Sequence, residues 1–119
     1  RAGKLLLTKS FRKSHPDPYT WFVDYGEVAD PDAVQQQYDS FVSWSGVFTD
    51  LPLIRSRTLV ITGDQDIVIP PENSLIIADA IPNATLIIRE GQGHGIIFVE
   101  PEKIAGIIGE FLIINYPPV

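Results

Sequence analysis

The chain predicts an α/β fold, with a strand–helix–strand–helix unit behind a layer of helix and loop. Three observations carry this prediction. Two short runs, Leu59-Val60-Ile61 and Thr85-Leu86-Ile87-Ile88, are rich in β-branched residues and apolar throughout. That is how strands buried on both faces of a parallel sheet read. Each run is followed by a loop containing glycine: Gly63-Asp64-Gln65-Asp66-Ile67-Val68-Ile69-Pro70 after the first, Gly91-Gln92-Gly93-His94-Gly95 after the second. Each loop then leads into a run with helical periodicity. The last of these places Ile104, Ile107, Ile108, Phe111 and Leu112 at i, i+3, i+4, i+7 and i+8, the pattern of an amphipathic helix.

In chain order, residues 1–29 carry the weakest signals. Ser14-His15-Pro16-Asp17-Pro18-Tyr19 reads as a turn-rich loop, because proline biases the residue before it away from the helical region. Phe11, Tyr19, Trp21, Phe22 and Tyr25 crowd this stretch, and aromatic packing accounts for them more simply than contact with a substrate. Asp30-Pro31 has the form of an N-cap with proline at the first helical position. Val34, Tyr38, Phe41 and Val42 then share one helix face, and the helix should end near Ser45-Gly46. Gly63 is expected to let the chain turn at the end of the first strand. Pro70-Pro71 opens a helix with Glu72 in its first turn, where the helix dipole favours an acid, and with Leu75, Ala78 and Ile81 as its inner stripe. Glu100-Pro101 opens the final helix. Gly106 and Gly109 within it each cost about 1 kcal/mol relative to Ala, a cost that close packing on the sheet would explain. The composition changes near Thr49–Leu53. The expected division is therefore a cap-like helical and loop segment over residues 1–50 and a βαβα core segment over 51–119.

The composition is that of a chain that can bury a core: 119 residues, 45% hydrophobic and 20% charged. A formal net charge of -6 argues against nucleic acid and anionic membrane as partners. The sequence has no cysteine, so disulfides, thiolate nucleophiles and Cys-ligated zinc are excluded. Two histidines, His15 and His94, make a histidine-based metal site an unpromising reading, and neither metal nor cofactor is expected. The lack of cysteine fits a reducing, cytoplasmic setting. No apolar run is long enough for a membrane span. A chain that starts at Arg1 and has no Met is expected to be part of a longer translation product.

The chemistry concentrates in the two loops, since α/β sheets keep their reactive groups at the C-terminal ends of the strands. Asp66 lies three residues past Gly63, and His94 sits between Gly93 and Gly95. A carboxylate facing a histidine fixes its tautomer and stabilises the imidazolium formed when it takes a proton. From the residues alone, a solvated Asp and an unpartnered His remain an equal reading. Asp64 is the rival acid, placed to cap the turn or face solvent. The acid precedes the histidine, as in a Ser…Asp…His hydrolase, but no Gly-x-Ser-x-Gly occurs in the sequence. The histidine loop does not match a dinucleotide fingerprint, because Ile96 stands where the third glycine belongs. His15 reads as a surface loop residue. Asn83-Ala84-Thr85 matches a glycosylation acceptor of a kind common by chance.

On these motifs, residues 51–114 resemble the C-terminal portion of the α/β-hydrolase superfamily. Leu59-Val60-Ile61-Thr62-Gly63 is similar to the strand before the family's acid loop. Asp66 and Pro70 fit its Gly-x-x-Asp-x-x-x-Pro pattern, Gly93-His94-Gly95 its histidine loop, and Glu100-Pro101-Glu102-Lys103 the start of its final helix. Residues 38–54, with Trp44, Ser45, Gly46 and Leu51, resemble the return from cap to core in esterase- and 3-oxoadipate enol-lactonase-like members. Arg57 departs from the usual proline before the strand.

The resemblance implies the last two βα units of the family's parallel sheet, preceded by a remnant of the helical cap. It implies a parent enzyme acting on a small carboxylic ester or lactone, with His94 as general base and acid, Asp66 as its orienting carboxylate, and a nucleophile supplied from upstream. The segment alone is then expected to be inactive, and to self-associate or pair with an N-terminal portion. Two alternatives stay open: a non-catalytic binding or assembly module on the same fold, and a dehalogenase or cofactor-free haloperoxidase. An upstream Asp in place of Ser would mark the dehalogenase.

Overall fold

The computed structural model describes residues 2–15, 17 and 29–115. Pro16, Pro18, Tyr19, Trp21, Phe22, Tyr25, Pro117 and Pro118, on which the turn, part of the aromatic layer and the chain end were expected, lie outside the described residues.

Strands β1 (Thr58–Gly63) and β2 (Ala84–Arg89) pair in parallel, with Thr58 opposite Ala84 and Gly63 opposite Arg89. Helix α4 (Pro71–Ala80) joins them and packs against both strands and against a 3₁₀ helix, Phe48–Leu53, that leads into β1. After β2 come the short α5 (Ile96–Val99), which periodicity did not indicate, and the long α6 (Pro101–Asn115). On the N-terminal side are α1 (Ala2–Leu6), α2 (Lys9–Ser14) and α3 (Pro31–Ser43). The expected strand–helix–strand–helix order is therefore present, in a two-stranded parallel sheet flanked by helices.

Local chemistry sets the boundaries. Asp30 caps α3 by accepting the Asp32 N–H at 2.9 Å, with Pro31 at the first helical position. Gly46, at φ +80°, follows three residues after α3, close to the predicted stop. Thr8 caps α2 through its hydroxyl. Pro71 opens α4, where its missing N–H would have had no helical partner.

The core is small. Leu7, Ile81, Ile96 and Ile104 are its buried apolar residues, and no described large side chain is sealed completely. Four expectations need correction. The apolar face of α3 is uncovered: Val34, Tyr38, Phe41 and Val42 are all at least half exposed, because no other described element packs over it. In α4 the buried position belongs to Ser74, not Leu75, so the inner stripe runs Ser74, Ala78 and Ile81. A Cβ at Gly106 or Gly109 would meet open space, so close packing on the sheet does not account for those glycines. In α6 the inner side is Ile104, Ile107 and Phe111, while Ile108 and Leu112 face outward. Among the described residues no helix is long and apolar enough to cross a membrane.

Candidate active site

The strand register decides where the two loops start. Because Gly63 lies opposite Arg89, both loops leave the same end of the sheet at the same level. The histidine loop crosses directly over the end of β1. A Cβ at Gly63 would run into the carbonyl of Gln92, and the Gln92 oxygen accepts the Gln65 N–H at 2.9 Å. Glycine is therefore required at position 63 for close approach of backbone, not for a turn of unusual φ. The left-handed conformation falls on Gly91, at φ +73°, which bends the chain back across the sheet.

This crossing brings Asp66 and His94 together. Nδ1 of His94 lies 2.9 Å from Oδ2 of Asp66. An ionised carboxylate only accepts, so Nδ1 carries a proton, and in the neutral ring Nε2 then keeps its lone pair. The other Asp66 oxygen, Oδ1, accepts the backbone N–H groups of Val68 and Ile69, both at 2.9 Å. The Asp66 side chain is 8% exposed and that of His94 is 34% exposed, so the acid is buried and the ring partly reaches solvent. Burial alone would raise the Asp66 pKa. The Ile69 N–H, the His94 ring bond, the Val68 N–H and the His94 charge together outweigh it and leave the carboxyl below its ordinary value. A cavity of about 320 Å³ opens beside the pair, lined by Gly63, Asp66, Ser74, His94, Ile96 and Ile97.

A carboxyl whose pKa is depressed on folding stabilises the folded state above its unfolded pKa, about 4. That contribution is lost as pH falls through the lower folded-state value. In urea titrations of the full-length protein, the midpoint difference between wild type and Asp66→Asn should therefore shrink as the pH falls below about 4. A difference that grows on acidification would reject the assigned ionisation.

Residue-by-residue reading missed three further ties on the histidine loop. Asp64 is exposed, but it does not merely cap its own turn: its Oδ1 accepts the Gly91 N–H at 2.7 Å, across 27 positions of sequence. Arg89 donates to Oε2 of Glu100 from both Nε (3.2 Å) and Nη2 (3.0 Å), closing the base of the loop. Gly95 donates its N–H to the Leu6 carbonyl at 2.6 Å, docking α1 onto the loop. An acid directly after a strand-ending glycine, in register with the start of the neighbouring loop, is the signal that could have found the first. We expect Asp64→Ala to speed hydrogen exchange at the Gly91 amide by about tenfold, the worth of an exposed hydrogen bond to a charged acceptor. Asp64→Asn keeps an accepting oxygen and should change it much less. Equal exchange in wild type and Asp64→Ala would show that the tie carries no energy.

His15 lies away from this site and stacks on Phe11, with ring centroids 4.1 Å apart. Among the described residues no group of three or more His, Asp or Glu side chains could hold a metal ion.

Comparison with known proteins agrees with this architecture. The family model described as TAP-like protein matches residues 30–113. A proline iminopeptidase, PfmaB, from Pestalotiopsis fici is 45% identical over 47 residues, covering 40% of this chain and 17% of that protein. A 2-hydroxymuconate semialdehyde hydrolase from Pseudomonas putida is 38% identical over 64 residues, covering 54% of this chain and 23% of the relative. Among solved structures, a thermophilic esterase from Thermogutta terrifontis superposes with a TM-score of 0.76 at 25% identity, covering 91% of this chain and 40% of the esterase. The chain thus spans less than a third of the length of the curated relatives it matches. A family match across most of the chain, the parallel βαβα order and the fold of its structural neighbours lead to one conclusion: this chain belongs to the TAP-like protein family of α/β-hydrolases.

Proposed function

We propose that the full-length protein hydrolyses carboxylic esters or lactones, with His94 as general base and then general acid and Asp66 as the carboxylate that orients it. The observation that carries this reading is the 2.9 Å contact between His94 Nδ1 and Asp66 Oδ2, with Asp66 Oδ1 held by two backbone N–H groups. A carboxylate fixed in this way cannot swing away from the ring. It holds the tautomer in which Nε2 can take a proton from an attacking hydroxyl, and it stabilises the imidazolium that results. The ring would then return that proton to the leaving oxygen. The nucleophile and the oxyanion donors are assigned to the upstream part of the protein. The relatives' names include a peptidase and putative carbamate hydrolases, whose bonds yield to the same attack on an acyl carbon.

The test is turnover of p-nitrophenyl acetate and butyrate, a γ-lactone and a prolyl amide by the purified full-length gene product. Ester or lactone turnover well above amide turnover supports the reading. A preference for the amide, or no turnover of any acyl substrate, overturns it.

A further inference from the structure

The charge of this acidic chain is unevenly placed. The first 16 residues hold five of its nine Lys and Arg residues and no acid; all 15 acids lie from Asp17 onward. The structure folds residues 2–15 of this stretch onto the two functional loops. Leu6 accepts the Gly95 N–H, Leu7 is 3% exposed, and Thr8 lies against Gly93. Between α1–α2 and the loops lies a second cavity of about 260 Å³, where Lys4, Lys9 and Arg12 face Gln65, Ile67 and Gly93. Gln65 and Ile67 flank Asp66 in sequence, and Gly93 lines this cavity and the one beside His94. The Arg12 guanidinium is steadied by a bond from its Nε to the Leu7 carbonyl at 3.3 Å. None of the three cations forms an ion pair among the described residues.

We propose that this cleft is an anion subsite, holding a carboxylate or phosphate group at the far end of the ester or lactone whose carbonyl meets His94. The inference rests on the acyl-hydrolase reading above and narrows its substrate class to anionic esters. Three cations around one cavity, unpaired among the described residues, attract an anion, and the net negative charge elsewhere leaves this mouth as the favourable approach. Arg12 can offer a planar pair of donors to a carboxylate or phosphate, while the two lysines act as point charges. Ile67 and the aliphatic stems of the lysines would bound the linker between the anion and the reacting carbonyl.

The test compares monoethyl succinate and 2-acetoxyethyl phosphate with neutral diethyl succinate, using the full-length gene product. The quantity read is the ratio of kcat/KM for each anionic ester to that for the neutral one. Lys9→Gln and Arg12→Gln should each lower this ratio about three- to tenfold, mainly through KM. Lys13→Gln, on the same helix but outside the cavity, should leave it unmoved. Raising salt to about 1 M, where the screening length is near 3 Å, should lower the wild-type ratio as well. The anionic ester with the higher ratio identifies the group that the cleft takes. If Lys9→Gln and Arg12→Gln leave both ratios unchanged while His94→Ala abolishes turnover, the cleft is solvated surface and the proposal is wrong. If no ester is turned over in a His94-dependent way, the acyl-hydrolase reading fails instead. Binding of succinate and inorganic phosphate, followed by NMR, then decides the cleft. Binding weakened by Arg12→Gln upholds the anion site, and equal or absent binding overturns it.

Discussion

In the full-length protein, His94→Ala and Asp66→Asn should each lower kcat by roughly 10⁴, the loss seen when the acid of a triad is neutralised. The two losses have different origins. Without the His94 imidazole, nothing at this position can take the proton from the nucleophile. An amide at position 66 is the subtler change, because it fills the same space and can still accept the Val68 and Ile69 N–H groups through its oxygen. It would, however, present an NH₂ to His94 Nδ1. The ring would then turn to the tautomer with the proton on Nε2, which cannot act as a base there. KM should move little in either variant, since neither residue is assigned to substrate binding. Asp64→Asn is the control, and its kcat should stay within a few fold of wild type. A severe loss in Asp64→Asn together with a mild one in Asp66→Asn would reverse the assignment of the acid.

Taken alone, the 119-residue chain should associate in solution and show no esterase turnover. Its sheet has two strands, fewer than an independently stable sheet usually needs. Phe41 is 73% exposed and Leu112 is 48% exposed, and they belong to apolar faces on α3 and α6 that no described element covers. Apolar patches and open strand edges of this kind drive association. Sedimentation at micromolar concentration should show oligomers or a broad distribution. A compact, cooperatively unfolding monomer would overturn this expectation and the open strand edge on which it rests. The lack of turnover rests on chemistry: a His–Asp pair without a positioned nucleophile and oxyanion donors supplies only part of the catalysis. Saturable p-nitrophenyl acetate hydrolysis that disappears in His94→Ala would contradict it.

Much of this protein could be read from its residues, because the relevant signals are local. Leu59–Ile61 and Thr85–Ile88 are apolar runs of strand length, and they became β1 and β2 within a residue or two. Asp30-Pro31 and Pro70-Pro71 start helices for reasons confined to one turn of backbone. The acid and histidine loops could be located because glycine and proline punctuate them. The helix faces expected to be covered were only partly right. Val34, Phe41 and Leu75 have helical periodicity, but burial depends on what packs against them, and periodicity carries no information about the neighbour.

What the sequence by itself determined was the order of elements, their approximate ends, and the two loops in which an acid and a histidine stand. The structure sets Asp66, the acid already favoured from the sequence, 2.9 Å from His94, and only the tertiary structure decided that Asp64 holds Gly91. It also decided that Arg89 closes the loop onto Glu100 and that the basic N-terminal helices lie over the result. The physical reason is the strand register. Setting Gly63 opposite Arg89 fixes the offset between two loops 28 residues apart, and a shift of that register would give the same residues different partners.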